Sequence, residues 1–88
     1  MLLSGKRAVI TGGGRGFGQA LCVWLAQEGV EVDFCARRAE DIQKTCSIIA
    51  AEGGIAKGYI CDLTQPESLS QFSSQLLTSD KPIDILIL

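Results

Sequence analysis

Short apolar runs alternate along the chain with longer stretches in which apolar residues recur every three or four positions. The runs are rich in Val, Ile and Phe, which is typical of buried β-strands, and they lie at Arg7–Thr11, Glu31–Ala36, Ala56–Cys61 and Asp84–Leu88. The longer stretches predict three amphipathic helices. Their apolar faces are predicted to hold Phe17, Ala20, Leu21, Trp24 and Leu25, then Ile42, Cys46, Ile49 and Ala50, and finally Leu69, Phe72 and Leu76. The predicted order is therefore β-α-β-α-β-α-β.

Turn and capping residues fall where this order needs them. Gly29 follows the first helix and Gly53-Gly54 follows the second, as expected where helices end. The segment Thr64-Gln65-Pro66-Glu67 predicts a capping box at the start of the third helix, with proline in its first turn. Since every strand-to-strand connection is long enough for a parallel crossover, we predict an α/β fold. It would be a Rossmann-type doubly wound parallel sheet.

Length and composition narrow the functional classes. The 88 residues form one small predicted domain, residues 1–88. A net charge of −2 gives no electrostatic reason to expect nucleic acid or a membrane surface as partner, and no apolar run approaches the roughly 20 residues that span a bilayer. Four cysteines without a CxxC pair, and no histidine, argue against a metal site. They predict reduced thiols in a cytoplasmic protein.

Residues 11–18, Thr-Gly-Gly-Gly-Arg-Gly-Phe-Gly, join the first strand to the first helix. Phosphate needs backbone N–H donors and a close approach to the main chain, and glycine permits both. Gly12 is predicted to turn the chain off the strand, Gly16 to admit a phosphate, and Gly18 to let the helix pack closely on the sheet. This context favours a dinucleotide loop over an ordinary glycine-rich turn. A Walker-type loop is disfavoured because its Gly-Lys-Ser/Thr sequence is missing: Gly16 is followed by Phe17.

The end of the second strand, Cys35-Ala36-Arg37-Arg38, bears on the cofactor. NAD-binding domains carry an acidic residue about 20 residues beyond the glycine motif. A carboxylate would repel a 2′-phosphate, whereas arginine binds it with two charge-assisted hydrogen bonds, so NADP is favoured over NAD. Asp33 lies too early to reach the ribose, and its partner stays unassigned. The alternative is a solvated pair at a helix start, where Arg37 and Arg38 would oppose the helix dipole and require a negative partner.

The motif Thr11-Gly12-x-x-x-Gly16-x-Gly18 resembles the cofactor motif of the short-chain dehydrogenases/reductases. Cys61-Asp62-Leu63 is similar to the family's Asp-Leu/Val pair beside the adenine, and residues 83–88 resemble the strand that leads into its Asn-Asn-Ala-Gly segment. The cofactor-binding residues indicated by the glycine motif, the arginine pair and this resemblance are Gly12, Gly14, Arg15, Gly16, Phe17, Gly18, Arg37, Arg38, Asp62 and Leu63.

The resemblance implies an NADP-dependent oxidoreductase that transfers a hydride between the nicotinamide and a carbonyl/alcohol substrate, homo-oligomeric when complete. It also implies that residues 1–88 are the N-terminal, dinucleotide-binding portion of a Rossmann domain that is longer in the family, with the strand order third, second, first, fourth. The family's catalytic Ser and Tyr-x-x-x-Lys have no match here, because Leu63 stands four residues after Tyr59; no catalytic residue is assigned, and Tyr59 is expected to pack in a strand. Two alternatives stay open: a dinucleotide-binding module or truncated product without activity, and an unrelated doubly wound domain for another phosphate ligand.

Overall fold

The computed structural model describes residues 3–88, which form one four-stranded sheet and three helices. The elements in chain order are β1 (Arg7–Thr11), α1 (Gly16–Gln27), β2 (Glu31–Ala36), α2 (Ala39–Ala51), β3 (Ala56–Ile60), α3 (Pro66–Leu76) and β4 (Ile85–Ile87). Among these residues, no helix is long and apolar enough to cross a membrane.

The strands are parallel and lie side by side in the order β3-β2-β1-β4, which confirms the predicted fold and strand order. Ile10 of β1 stands opposite Phe34 of β2 on one side and Ile87 of β4 on the other. Two predicted strands are slightly too long, because β3 ends at Ile60 and β4 covers only Ile85–Ile87. Since all strands run the same way, their carboxyl ends share one edge of the sheet.

The helices cover both faces of the sheet, as a doubly wound fold requires. The core between the sheet and α1 and α2 consists of Ala8, Ile10, Cys22, Leu25, Ala26, Val30, Val32, Phe34 and Ile49. The smaller core between the sheet and α3 consists of Val9, Cys35, Cys61, Phe72 and Leu76. Successive residues of β1 and β2 enter opposite cores, as expected of a strand buried on both faces.

The predicted apolar face of α1 is rotated by about one residue from the observed one. The buried residues of this helix are Cys22, Leu25 and Ala26. Phe17 and Trp24, by contrast, are 81% and 52% exposed. The orientation follows from Gly18, because a Cβ added there would lie 2.0 Å from the Gly12 carbonyl oxygen. Gly18 therefore faces the loop that leaves β1 rather than the sheet itself, and the helix residue one turn further on, Cys22, is buried in the core.

The apolar face of α2 agrees better with the prediction. Ile49 is buried, and Ile42 and Cys46 pack against the same core. Ala50 was expected on this face but is exposed, and Thr45 is fully buried instead. The face is therefore centred slightly toward the start of the helix, with a hydroxyl in its middle.

The start of α3 differs from the prediction. Its N-cap is Gln65, which makes no side-chain capping bond, so the expected capping box is wrong. The Thr64 hydroxyl donates instead to Asp62 Oδ1 at 2.7 Å. Pro66 does occupy the first turn, as predicted. Of the predicted apolar face, Phe72 and Leu76 are buried and Leu69 is 44% exposed.

The glycines predicted to end the first two helices do so. Gly29 follows the C-cap Glu28 with a φ of 83°, and Gly53 follows the C-cap Glu52 with a φ of 80°. These are left-handed conformations that favour glycine. Both positions therefore confirm the predicted helix ends.

Asp33, which the sequence left without a partner, pairs with Arg7 beneath α3. Arg7 Nε lies 2.7 Å from Asp33 Oδ2, and both side chains are buried. The guanidinium also donates to the carbonyl oxygens of Lys81 at 2.7 Å and Leu76 at 3.0 Å. Because Arg7 belongs to β1 and bonds to Leu76 at the end of α3 and to Lys81 in the following loop, it holds both segments against the sheet.

Candidate functional site

A cleft of about 470 Å³ opens at the carboxyl ends of β1, β2 and β3. Eight of the ten predicted site residues line it: Gly12, Gly14, Arg15, Gly16, Arg37, Arg38, Asp62 and Leu63. Phe17 and Gly18 are not among its lining residues. The lining residues not assigned from the sequence are Cys35, Ala36, Asp41, Cys61 and Thr64. Three loops that are far apart in sequence therefore meet where doubly wound folds bind ligands.

The glycine loop presents open space to the cleft. Gly12 and Gly16 have left-handed φ values of 71° and 57°. A Cβ added at either position would meet no atom of residues 3–88 within 4 Å. Gly16 also begins α1, whose first N–H groups lack partners within the helix and whose dipole favours an anion. A negative group can therefore approach the main chain closely at this point.

The other side of the loop is tightly packed. A Cβ at Gly13 would lie 2.8 Å from Phe34 Cβ, and one at Gly14 would lie 2.9 Å from Asp41 Cβ. The N–H of Gly13 donates to the carbonyl oxygen of Cys35 at 3.1 Å. The loop is thus fixed between β2 and α2, so that glycine is needed at these positions for packing.

A buried polar contact that the sequence did not predict joins both helices to the loop. The Thr45 hydroxyl donates to the carbonyl oxygen of Gly13 at 3.0 Å and accepts from Gln19 Nε2 at 3.0 Å. Gln19 Nε2 also lies 3.4 Å from the carbonyl oxygen of Gly14. In the sequence, this contact is indicated only by a threonine, Thr45, within the apolar face of α2. The position of Thr45 does not reveal which groups it bonds to.

Three arginines give the cleft its positive charge. Arg15 Nε lies 3.8 Å from Asp41 Oδ2, and the Arg15 side chain is 72% exposed. Within residues 3–88, no carboxylate lies within 4.0 Å of the guanidinium of Arg37 or Arg38. Glu40 and Asp41 occupy the first turn of α2 and offset the unfavourable effect of the arginines on its dipole. The negative groups expected beside the arginine pair are therefore present within α2 itself.

The loop after β3 brings a carboxylate to the cleft. Asp62 Oδ1 accepts from the hydroxyl and the N–H of Thr64, at 2.7 and 3.0 Å. The pKa of Asp62 is lowered mainly by the hydrogen bond from the Thr64 hydroxyl, next by that from the Thr64 N–H, and also by the charge of Arg37. The Asp62 N–H in turn donates to Ser68 Oγ at 2.9 Å. Asp62 is thus an ionised acceptor at neutral pH, held by its own loop.

Tyr59 lies on the α3 side of the sheet and does not line this cleft. Its ring packs against Phe72 with the centroids 5.5 Å apart, and its hydroxyl donates to Asp33 Oδ1 at 3.3 Å. Burial, followed by the charge of Asp33, raises the pKa of Tyr59. It is a packing residue, as expected, and is unsuited to proton transfer at neutral pH.

Known proteins are similar to this chain in sequence and in fold. A short chain dehydrogenase of Pseudocercospora fijiensis is 35% identical over 85 residues, which are 97% of this chain and 28% of that protein. A metagenomic short-chain oxidoreductase solved in complex with NADP superposes with a TM-score of 0.90 at 34% identity, over 98% of this chain and 39% of that one. An NAD+-bound xylitol dehydrogenase gives a TM-score of 0.90 at 27% identity, over 98% and 33%.

This chain therefore spans about a third of the length of its relatives. The match covers all three loops of the cleft, since the family model for short chain dehydrogenases aligns with residues 6–88. The chain thus belongs to the short chain dehydrogenase family of oxidoreductases, whose members bind a nicotinamide dinucleotide.

Proposed function

We propose that this chain is the cofactor-binding part of an NADP-dependent oxidoreductase. The pyrophosphate would bind at the glycine loop and the 2′-phosphate at Arg37 and Arg38. The whole protein would transfer a hydride between the nicotinamide and a carbonyl/alcohol substrate. The observation that supports this is that one cleft brings together an open helix start and two arginines that have no ion-pair partner among residues 3–88.

The glycine loop fits a pyrophosphate in both space and charge. The open space in front of Gly12 and Gly16 lets an anion reach the backbone N–H groups. The dipole of α1 and the nearby guanidinium of Arg15 both favour negative charge there. No carboxylate of α1 opposes this, since its first turn contains no acidic residue.

The cofactor choice depends on the end of β2, since relatives of this chain are known with NADP and with NAD+. An NAD-type site would need a carboxylate there for the ribose hydroxyls. Asp33 does not serve, because it is buried on the α3 side and paired with Arg7. Arg37 and Arg38 follow the strand instead, and a planar guanidinium can bind a phosphate through two parallel hydrogen bonds. These observations support NADP.

Asp62 and Leu63 suit the adenine end of the cofactor. Asp62 offers an ionised oxygen to an amino group, while Leu63 offers an apolar side chain that is 47% exposed at the cleft. When bound, the nicotinamide would supply or accept the hydride. Within residues 3–88 we assign no group to proton transfer, so these residues hold and orient the cofactor.

The compartment we propose is the cytoplasm. All four cysteines are free thiols, and Cys22, Cys35 and Cys61 are buried. Burial raises the pKa of the Cys22 thiol to about 12, so this group stays protonated and unreactive at neutral pH. Buried free thiols of this kind are typical of proteins from a reducing compartment.

Calorimetric titrations with NADPH and NADH test the proposal, and the pair 2′,5′-ADP and 5′-ADP isolates the 2′-phosphate. NADPH should bind more tightly than NADH. Arg37→Ala should lower that preference by roughly 10- to 150-fold, because a hydrogen bond to a charged group contributes about 1.5–3 kcal/mol. Lys44→Ala is the matched control, since Lys44 is an exposed cation on α2 outside the cleft. Equal affinities of the unmodified protein for NADPH and NADH would contradict the proposal.

A further inference from the structure

We infer that Thr45 is a positioning residue for the pyrophosphate, because it orients two peptide groups in the glycine loop together with Gln19. The Thr45 hydroxyl donates to the carbonyl oxygen of Gly13. It also accepts from Gln19 Nε2, which approaches the carbonyl oxygen of Gly14. The inference rests on the proposed function and extends it to a residue that does not line the cleft. Thr45 is fully buried in α2. It would act through the main chain of the loop rather than by touching the ligand.

The loop carbonyls point away from the cleft, toward the two helices. The Thr45 hydroxyl lies 3.0 Å from the carbonyl oxygen of Gly13 and 3.5 Å from that of Gly14. Gln19 Nε2 lies 3.4 Å from the carbonyl oxygen of Gly14 and donates to Thr45 Oγ1 at 3.0 Å. Both carbonyl groups therefore face the buried space between α1 and α2.

The direction of the carbonyls determines the direction of the next N–H groups. In a planar trans peptide, the C=O of one residue and the N–H of the following residue point in opposite directions. With the carbonyls of Gly13 and Gly14 turned inward, the N–H groups of Gly14 and Arg15 point outward. Gly14 and Arg15 both line the cleft. Among the residues described, none accepts a hydrogen bond from either N–H, so both donors are available to an anion.

Thr45 is needed because the loop itself is permissive. Gly13 and Gly14 lack side chains, and glycine has a wide choice of backbone conformations. The N–H of Gly13, bonded to the carbonyl oxygen of Cys35, ties the preceding Gly12–Gly13 peptide to β2, but not the two peptides that follow. Because Thr45 is shielded from solvent, water cannot readily replace its hydroxyl. Without that hydroxyl, the carbonyl oxygen of Gly13 would lose its hydrogen bond, and of the two carbonyls only that of Gly14 would keep a side-chain contact within residues 3–88, with Gln19.

The test compares Thr45→Val, which removes the hydroxyl at nearly constant volume, with Thr45→Ser, which keeps it. The probes are NADPH, NADH and inorganic pyrophosphate, titrated calorimetrically. Thr45→Val should weaken NADPH and pyrophosphate by about tenfold each, and Thr45→Ser by less than about threefold. The ratio of NADPH to NADH affinity should not change, because Arg37 is untouched. In NMR spectra, the N–H shifts that pyrophosphate causes at Gly14 and Arg15 should shrink in Thr45→Val alone.

Ile49→Val controls for a general loosening of α2, since Ile49 is buried one turn further on and lies outside the cleft. It should bind NADPH as the unmodified protein does. An equal loss in Ile49→Val, or unchanged binding in Thr45→Val, would overturn the positioning role. If Thr45→Val does not fold, Thr45→Ala, which also lacks the hydroxyl, decides, and unchanged affinity there overturns the role. Failure of the unmodified protein to bind NADPH would refute the proposed function itself.

Discussion

Gly16 and Gly53 offer a matched pair of substitutions that separates backbone strain from ligand binding. Their φ values are 57° and 80°, and at either position an added Cβ meets no atom within 4 Å in the part of the chain that the structure describes. Alanine should therefore cost both sites a similar strain of about 1–2 kcal/mol. The sites differ in location, because Gly16 lines the cleft. Gly53 follows α2, roughly 20 Å from the start of that helix at 1.5 Å per residue.

We expect Gly16→Ala and Gly53→Ala to lower the free energy of unfolding equally, and only Gly16→Ala to weaken NADPH binding. The methyl group would occupy the space in which a phosphate meets the helix start. Losing one hydrogen bond to a charged group costs about 1.5–3 kcal/mol, which is roughly a 10- to 150-fold loss of affinity. Gly16→Val should lose binding more completely, because its branched side chain fills more of this space, while the helical content survives.

Urea unfolding followed by circular dichroism gives the stability of each variant, and calorimetric titration with NADPH gives its affinity. If Gly16→Ala bound NADPH as tightly as Gly53→Ala does, the phosphate would not approach the chain at Gly16. If Gly16→Ala unfolded while Gly53→Ala remained folded, Gly16 would be a structural residue. Either result would remove the main physical support for the phosphate site.

Two further predictions concern stability. Asp33→Ala leaves the Arg7 guanidinium buried without a counter-charge and should cost about 3–5 kcal/mol. Glu31→Ala breaks the half-exposed pair with Lys81 and should cost less than about 1 kcal/mol; equal losses in urea unfolding would contradict this. Burial raises the pKa of Cys22 from 9.0 to about 12, so its contribution to stability is complete below pH 9 and declines as the pH rises toward 12. Urea unfolding between pH 8 and 10.5 should show this decline, with a shallower slope in Cys22→Ala.

β1 and β2 were predictable because strands buried on both faces are largely apolar runs. The face of α1 was harder, since the large side chains of Phe17 and Trp24 dominate the pattern yet are mostly exposed. The correct signal was Gly18. If this glycine faces the chain leaving β1, helical periodicity also turns Cys22 and Leu25 inward and leaves Trp24 outside. A pattern based on hydrophobicity gives glycine little weight, although here its lack of a side chain fixed the helix.

The candidate site was predictable only in part: its glycine loop and arginine pair were predicted from the sequence, whereas the side chains that α2 contributes were not. A loop that offers its main chain to a ligand is marked in the sequence by its glycines, and the arginine pair stands at a fixed distance beyond it. Asp41 and Thr45 were missed because their roles depend on how α2 is rotated against that loop. Asp41 Oδ2 comes within 3.8 Å of Arg15 Nε, and Thr45 contacts the loop carbonyls. Neither contact follows from sequence spacing alone.

The buried Arg7–Asp33 pair and the arginines at the carboxyl edge of the sheet differ in whether their charges have partners. Within residues 3–88, no buried side-chain nitrogen or oxygen lacks a hydrogen-bond partner, and Arg7 bonds with Asp33, Leu76 and Lys81. At the carboxyl edge, by contrast, the guanidinium groups after β2 have no ion-pair partner in the same range. Asp33 of β2 lies on the α3 side of the sheet, where its charge is neutralised by Arg7. Arg37 and Arg38, in contrast, follow the carboxyl end of the same strand. The positive charge at the cleft remains available to an anionic ligand.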